Sequence, residues 1–268
     1  MKTINSLSGG KTSSYLALHY PADYEIFALV QIEDLKCKPK DLGLIKYASE
    51  KLNKEFIATA ESDLTLYAMR DLEQLIGKEI IWVAGTSFDA LNKKKKAIPN
   101  QQFRFCTTEM KLRPIFDWWY KNIGEKVKKG DGFRYDEKER AEKFTTSFNG
   151  IVGIGGGGRN KWQEIDWREG YFPLIENKIT HYPIYQWAQK TGITFPQDSN
   201  CVGCFWKPVQ QLRKNWDNEP AKMQWFADQE KNATWKKEMN YEQIKTIGLQ
   251  QDFFFGTGSG CQAGFCTD

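Results

Sequence analysis

The stretch that decides the fold is Asn5-Ser6-Leu7-Ser8-Gly9-Gly10-Lys11-Thr12-Ser13-Ser14, close to the start of the chain. Two glycines follow a short apolar lead, and the pattern from Thr12 to Leu18 predicts a helix. Because glycine permits a tight turn, successive N–H groups can face one anion at the positive end of that helix. We therefore predict a phosphate-binding loop, with an ordinary strand–turn–helix junction as the alternative. Its predicted contact residues are Ser8, Gly9, Gly10, Lys11, Thr12 and Ser13.

The loop is not a Walker motif, which would require glycine where this chain has Asn5. Its residues instead resemble the Ser-Gly-Gly-x-Asp-Ser loop of the PP-loop superfamily, which includes ATP pyrophosphatases and phosphoadenosine phosphosulfate (PAPS) reductases. Thr12 stands in place of the family's Asp, and Lys11 fits the reductase branch. The resemblance implies an adenine nucleotide alpha hydrolase-like fold that binds either ATP with Mg²⁺ or PAPS/APS.

Composition indicates a protein with a substantial core. Hydrophobic residues make up 40% of the 268 positions and include ten Trp, eleven Tyr and seventeen Phe. Apolar runs are too short to span a membrane, and the start of the chain lacks a hydrophobic signal core. We therefore expect a cytoplasmic protein with no membrane partner. The net charge of +4 is compatible with an anionic substrate.

Strand patterns that alternate with helical patterns predict a layered, mostly parallel α/β sheet. The expected strands and helices are Tyr24–Ile32, Asp41–Leu52, Leu64–Ile76 and Glu79–Gly85. In such sheets ligands bind beyond the carboxyl ends of the strands. Glu33 and Asp34 follow the second strand at this edge, so Asp34 is a candidate contact for ribose or adenine. A solvated strand end is the alternative.

We divide the chain into an α/β nucleotide-binding domain, residues 1–196, and a helical, cysteine-containing C-terminal cap, residues 197–268. Short helices are expected in the cap at Pro220–Trp235 and Tyr241–Leu249, and a strand is expected at Tyr171–Glu176. Within residues 145–168, four consecutive glycines, Gly155–Gly158, predict a flexible connection or a hairpin tip. Lys93–Lys96 predicts a solvated loop, or alternatively a loop that closes over a polyanion such as nucleic acid.

A second block is Arg104-Phe105-Cys106-Thr107, followed by Lys111 and Pro114. A thiol at a helix start beside Arg104 would have a lowered pKa, which favours a thiolate nucleophile or metal ligand. A buried, inert cysteine is the alternative. The block resembles one in PAPS-reductase-like proteins and in the sulfur-transfer enzyme of DNA phosphorothioation. Reductases that carry an iron–sulfur cluster have Cys-Cys here, a pair that Thr107 breaks.

A third block runs from Gly132 to Ala141 and resembles the Gly-x-Arg-x-(Asp/Glu)-Glu-x-x-Arg segment of the same family. Arg134 and Arg140 would converge on a phosphate or sulfate. Asp136 and Glu137 would order the two guanidinium groups or bind Mg²⁺. The alternative is an exposed helix with internal ion pairs.

Paired cysteines mark the C-terminal part of the chain. Four of the six cysteines have ligand-like spacing, as Cys201 with Cys204 and Cys261 with Cys266. In a cytosolic chain such thiols indicate an iron–sulfur cluster or Zn²⁺ more often than disulfides. A local site would use these four cysteines, and turn cysteines with a disordered tail are a further alternative. The resemblance implies a shared site of Cys106, Cys201, Cys204 and one tail cysteine, which we favour.

The resemblance implies an enzyme of sulfur chemistry with Lys11, Arg134 and Cys106 as catalytic candidates. It would use ATP to adenylate an acceptor, releasing pyrophosphate before sulfur transfer, or reduce PAPS/APS to sulfite by thiolate attack. The tail lacks the reductases' Glu-Cys-Gly-Leu/Ile-His motif, which favours the first reaction. Expected partners are the nucleotide, a nucleic-acid acceptor, and a sulfur donor or reductant protein. A non-catalytic nucleotide- or nucleic-acid-binding module is the alternative from another class.

Overall fold

The computed structural model describes residues 1–248, a range that contains nine strands and twelve α-helical segments. The strands are β1 (Thr3–Leu7), β2 (Tyr24–Ala28), β3 (Gln31–Ile32), β4 (Ala58–Thr59), β5 (Ile80–Val83), β6 (Val127–Gly130), β7 (Ser147–Ile154), β8 (Asn160–Asp166) and β9 (Arg168–Tyr171). The helices are α1 (Lys11–His19), α2 (Leu42–Leu52), α3 (Asp63–Ile76), α4 (Phe88–Lys95), α5 (Phe105–Thr107), α6 (Arg113–Asn122), α7 (Lys138–Glu142), α8 (Pro173–Glu176), α9 (His181–Lys190), α10 (Val209–Asn218), α11 (Pro220–Asp228) and α12 (Tyr241–Lys245). The π-helical turn Thr108–Leu112 joins α5 to α6. Across residues 1–248, each helix is too short or too polar to traverse a bilayer.

The central sheet has five strands in the order β5-β2-β1-β6-β9, and all four neighbouring pairs are parallel. Two further antiparallel pairs, β3 with β4 and β7 with β8, lie outside it. Parallel neighbours need crossover connections, which here contain the helices. The expected layered, mostly parallel α/β sheet is therefore confirmed.

Both faces of the sheet are buried. Ile26 in β2 is fully buried in a cluster with Ile115 and Trp119 of α6. Its neighbour Phe27 is buried in a second cluster with residues of α2 and α3, such as Leu44 and Leu72. Successive strand side chains point to opposite faces, so adjacent apolar residues serve two helical layers.

Within residues 1–248, the segment from about 197 onward shares a core with the chain directly after β2 and with α4. Trp216, Phe226 and Trp235 are buried in one cluster with Val30 and Phe88. The backbone continues this contact, since the N–H of Val202 donates to the carbonyl of Ala60 at 2.7 Å. Helices α10, α11 and α12 therefore pack against the α/β part rather than forming a separate body.

Three of the expected elements end several residues earlier in the structure than the sequence predicts. The strand Tyr24–Ile32 ends at Ala28, because residues 31–32 turn away to pair with β4. The strand Tyr171–Glu176 ends at Tyr171, where β9 stops, and Pro173 begins α8 because its fixed φ suits a first helical turn. The helix Pro220–Trp235 ends at Asp228, and the indole N–H of Trp235 donates back to the carbonyl of Phe226 at 2.8 Å.

The glycine-rich segment forms a hairpin tip, which was one of its two expected forms. Strands β7 and β8 pair in antiparallel fashion, and Gly156–Gly158 form the turn between them. Gly157 and Gly158 have φ of 75° and 72°, a region that favours glycine. The Phe148 ring packs 4.9 Å from that of Phe116 in α6, so the base of the hairpin is anchored to the core.

The carboxyl group of Glu25, a residue of β2, is fully buried. The Oε1 atom of Glu25 accepts hydrogen bonds from Ala22 N at 2.9 Å and from Asn5 Nδ2 at 3.1 Å. Burial raises the pKa of Glu25 from 4.5 to about 7, against the opposing effects of these hydrogen bonds and of Lys78. The folded protein therefore binds a proton here that the unfolded chain releases.

We predict that stability decreases as the pH rises from about 4.5 to above 7, because the folded state favours the protonated form. The loss should total about 3 kcal/mol, since each pKa unit corresponds to about 1.4 kcal/mol. Glu25→Gln keeps an acceptor oxygen and removes the ionisation, so it should flatten this dependence. Urea unfolding across this pH range would measure both proteins, and an unchanged slope in the variant would refute the assignment.

Candidate functional site

The loop between β1 and α1 lies at the carboxyl edge of the sheet, and hydrogen bonds of Ser13 hold its two ends together. Ser13 Oγ accepts from Ser8 N at 3.2 Å and donates to the carbonyl of Gly10 at 3.1 Å. Gly10 is the extended residue before α1, and no side chain caps the helix there. The first turn of α1 therefore presents its N–H groups without a side-chain acceptor at the cap, as an anion site requires.

Neighbouring segments approach the two glycines closely. Gly9 has φ of +74°, and a Cβ atom there would lie 2.3 Å from Cγ2 of Thr65 in α3. A Cβ on Gly10 would lie 2.7 Å from Oγ of Ser199. Glycine is needed at both positions because the loop is covered by α3 on one side and by the C-terminal region on the other.

We predict that Gly9→Ala destabilises the protein more than Gly77→Ala, its matched control. Both residues have positive φ, which costs an alanine about 1–2 kcal/mol, but a Cβ on Gly77 meets nothing within 4 Å. The clash with Thr65 should add roughly 1–3 kcal/mol to the Gly9→Ala loss. Thr65→Ala in the same chain should recover part of that addition in urea unfolding. Equal losses for the two glycine variants would contradict the close approach.

Two residues from the C-terminal region that the sequence analysis missed lie at the loop. Ser8 Oγ donates to Ser199 Oγ at 3.3 Å, and Asp198 lies close enough to influence Lys11. Burial lowers the pKa of Lys11, while the Asp198 carboxylate acts in the opposite direction. Asp198 also forms a buried ion pair with Lys207 at 2.6 Å. Their position directly beside Cys201-x-x-Cys204 was the only available signal in the sequence.

A small cavity of about 30 Å³ opens beside the loop, where β1, β2 and β6 end. It is lined by Ser6, Leu7, Ser8, Ala28, Thr107, Lys111, Leu112, Ile115, Lys129 and Asp131. Lys129 and Asp131 form a buried ion pair within this lining. The cavity therefore combines hydroxyl, cationic and carboxylate groups at the edge where parallel sheets bind ligands.

The arginines of the third block are held by the two acidic residues between them. Arg134 Nε donates to both carboxylate oxygens of Asp136 at 3.1 and 3.2 Å. Glu137 lies between the two guanidinium groups, 3.3 Å from Arg134 Nη1 and 2.7 Å from Arg140 Nη1. This arrangement corresponds to the ion-paired alternative. Convergence of the arginines on an anion stays a prediction.

The third block nevertheless lies near the loop. A Cβ on Gly132 would be 3.3 Å from the backbone nitrogen of Ser13. Burial lowers the pKa of His181, and the positive charges of Arg134 and Lys11 lower it further, against Asp136 and Glu137. Arg134, His181 and Lys11 therefore share one electrostatic environment.

Asp34 caps the short turn Leu35–Cys37, where its Oδ1 accepts from Lys36 N at 2.8 Å. Because β2 ends at Ala28, Asp34 does not directly follow a strand of the central sheet. Its contact with ribose or adenine stays a prediction.

Three of the cysteines assigned to a shared site line one cavity of about 40 Å³. Its lining consists of Val30, Phe88, Arg104, Cys106, Thr107, Lys111, Asn200, Cys201, Cys204, Phe205 and Trp206. Within residues 1–248, no disulfide joins any two of these three cysteines. The structure therefore places Cys106, Cys201 and Cys204 around one cavity, and their grouping as metal ligands stays a prediction. Cys261 and Cys266 lie outside the described residues.

The expectation of a lowered pKa for Cys106 was wrong. Burial raises the pKa of this thiol and outweighs the opposing charges of Arg104 and Lys111 and the hydrogen bonds from Thr107. Burial likewise raises the pKa of Cys201 to about 12. Both groups are therefore favoured as neutral thiols unless a cation is bound beside them.

The thiols match zinc or an iron–sulfur cluster in donor type. Within residues 1–248, however, no three His, Cys, Asp or Glu side chains come close enough together to hold a metal ion. Metal binding therefore stays a prediction. Cys37 is buried in the hydrophobic cluster beside Ala58 and Phe88, as expected for a structural cysteine.

Thr107 and Lys111 line both the loop cavity and the cysteine cavity. Lys111 Nζ lies 3.2 Å from Oε1 of Glu61, a fully buried carboxylate whose second oxygen accepts from Val30 N at 3.4 Å. Thr107 and Lys111, both from the second block, thus lie between the predicted phosphate loop and the thiols. The two cavities lie on either side of a single wall.

No protein-family model matches this chain, and no curated protein matches it significantly. The similarity to the PP-loop superfamily therefore depends on the motifs quoted above.

Proposed function

We propose that this protein is an adenine-nucleotide-binding enzyme of the PP-loop, PAPS reductase-like type. It would cleave ATP to AMP and pyrophosphate in order to activate an acceptor for sulfur transfer. The observation that carries this proposal is the wall formed by Thr107 and Lys111. It places three thiols beside the cavity that adjoins the phosphate loop.

The loop and α1 bind the phosphates in this proposal. The N-terminal N–H groups of α1 and the Lys11 ammonium would stabilise the negative charge that moves onto the leaving group. An acceptor oxygen bonds to the α-phosphorus, the bond to the bridging oxygen breaks, and pyrophosphate leaves. Nucleophilic sulfur at the oxidation state of sulfide, supplied by the sulfur donor, then bonds to the acceptor atom that carried the adenylated oxygen, and AMP leaves with that oxygen. Lys111, held by Glu61, lines both the loop cavity and the cysteine cavity.

Two sets of residues are the candidate metal ligands in this proposal. Mg²⁺ binds mainly to phosphates and one or two carboxylates, and Asp131 is the carboxylate that lines the loop cavity. Cys106, Cys201, Cys204 and a tail cysteine would hold an iron–sulfur cluster or Zn²⁺. A cluster would supply a sulfur carrier, whereas zinc would supply structural closure.

Sulfonucleotide reduction with release of sulfite is the alternative reaction. It is supported by the position of Cys106, because the next residue, Thr107, lines the loop cavity. It requires a thiolate that attacks sulfur, and the raised pKa of Cys106 disfavours that form. Two features support a non-catalytic module as the remaining alternative. Thr12 replaces the carboxylate of the family motif, and Arg134 is paired with Asp136 instead of facing an anion. Release of pyrophosphate from ATP, of sulfite from PAPS or of neither product distinguishes the three.

We predict that Lys11→Ala weakens ATP binding by an order of magnitude or more, since a charge-assisted contact contributes about 1.5–3 kcal/mol. Isothermal titration calorimetry would measure the affinity, and a pyrophosphate assay would measure turnover. Lys46→Ala is the control, because Lys46 is exposed on α2 and lies 3.9 Å from Glu50. Unchanged affinities for ATP and PAPS in a folded Lys11→Ala protein would remove the loop from the proposal.

We predict that Cys106→Ser reduces bound metal as severely as Cys201→Ser in anaerobically purified protein. The reason is that both thiols line the same cavity. Cys37→Ser should retain full metal content, since Cys37 is buried in the hydrophobic cluster. Metal and sulfide analysis with an absorption spectrum would measure the outcome. Retention of metal by Cys106→Ser with depletion by both Cys261→Ser and Cys266→Ser would establish the local grouping instead.

A further inference from the structure

We infer that single-stranded nucleic acid binds to a basic face made of Lys93–Lys96, Phe103, Arg113 and Trp162. Binding itself does not require the proposed function. The role of this strand as acceptor rests on it, because the face borders the cysteine cavity.

The lysine run forms the first part of the basic face. Lys93–Lys95 belong to the last turn of α4 and Lys96 caps it, so these residues are helical rather than part of a loop. All four side chains are exposed. Cations at a helix C-terminus favour the helix, but four consecutive exposed lysines also give a local charge that attracts phosphates.

A chain of side-chain contacts links this run to the hairpin. Lys95 Nζ lies 3.7 Å from Oε1 of Glu109, and Oε2 of Glu109 accepts from Arg113 Nε at 2.7 Å. The Arg113 guanidinium lies 5.0 Å from the ring centre of Trp162. Glu109 and Arg113 are four residues apart on one side of the same helix, so the lysine run and the hairpin flank a single surface.

The distal half of the hairpin carries positive charge only. Residues 153–163 include Arg159 and Lys161, both exposed, and contain no Asp or Glu. The acidic residues of β8 lie nearer the base and are engaged there: Glu164 accepts from Ser147 Oγ and Asp166 pairs with Lys126. Lys161 directly precedes Trp162 in β8, so its side chain points to the opposite face of the hairpin. The tip therefore adds positive charge next to the basic face without being part of it.

Exposed aromatic rings favour unpaired bases over a duplex. Trp162 is 50% exposed although Arg113 packs against it, and Phe103 is 65% exposed. Aromatic rings between cations bind single strands because bases stack on the rings while phosphates contact the charges. In a duplex the bases are already stacked and paired.

The basic face borders the cysteine cavity. Phe103 directly precedes Arg104, which lines that cavity, and Lys95 lies 5.8 Å from the ring centre of Phe105 on the following turn. A strand that contacts both the lysine run and Phe103 therefore passes beside Arg104. In this position the strand passes a residue that lines the cysteine cavity.

The test measures anisotropy of fluorescein-labelled dT and U oligomers of about 20 nucleotides at several salt concentrations. Lys93→Ala/Lys94→Ala/Lys96→Ala should reduce the slope of log affinity against log salt by about 2, or about 0.7 per lost phosphate contact. Trp162→Ala should weaken binding about fivefold or more at an unchanged slope, because stacking carries no counterion release.

Matched controls distinguish this face from net charge and general exposure. Lys2→Ala/Lys46→Ala/Lys128→Ala removes the same charge from exposed lysines elsewhere, and Tyr182→Ala removes a 65% exposed ring on α9. Both control proteins should bind the oligomers like the parent protein. A preference for dT or for U would identify DNA or RNA as the partner, and either preference supports the inference.

The inference would be overturned by the absence of oligomer binding by the parent protein, by equal losses in the control proteins, or by tighter binding of duplex than of single strands. Equal binding of polyglutamate would also overturn it, since that would show a general polyanion surface. ATP affinity is measured on the same proteins by calorimetry. Absence of oligomer binding by a parent protein that binds ATP refutes the basic face alone, whereas oligomer binding by a parent protein that binds no ATP refutes the nucleotide site alone.

Discussion

A fully buried carboxylate, Glu61, connects the three parts of the chain that form the candidate site. Its side chain accepts from Val30 N after β2 and lies 3.2 Å from Lys111 Nζ, and its backbone carbonyl accepts from Lys222 Nζ of α11 at 2.6 Å. A buried charge is costly unless it is paired and hydrogen-bonded. The sheet edge, the helix after Cys106 and the C-terminal helices must therefore meet at Glu61 in one arrangement.

Three buried lysines around the carboxyl edge of the sheet are also held by ion pairs. Lys129, Lys207 and Lys222 are nearly inaccessible, and each pairs with an aspartate, Asp131, Asp198 and Asp63 respectively. An apolar set of similar volume would often be as stable, so such pairs contribute more to a unique arrangement than to net stability. Here they orient the wall beside the loop and the segment that covers Gly10.

The thiols illustrate how burial changes the chemistry that a motif suggests. Cys106 lies at a helix start beside Arg104, a position that on its own favours the thiolate. The cavity formed with Cys201 and Cys204 removes water from these sulfur atoms, and desolvation then favours the neutral thiol. Nucleophilic attack requires the thiolate, so burial disfavours Cys106 as a free nucleophile.

Local patterns in the sequence determined the elements whose formation depends on neighbouring residues. The β1–α1 loop, α2 after its Asp41 cap and α3 all lie within one or two residues of their expected bounds, because turns and helices form through contacts three or four positions apart. Only the tertiary structure decided what those elements meet. Ser199 on Gly10, the pairing of Arg134 with Asp136 and the shared wall of Thr107 and Lys111 depend on packing and charge that no local window of sequence contains. Segments distant in the chain also decided two other features. Residues 31–32 leave the central sheet because they pair with β4, and the pKa of Cys106 is raised because other segments bury its thiol.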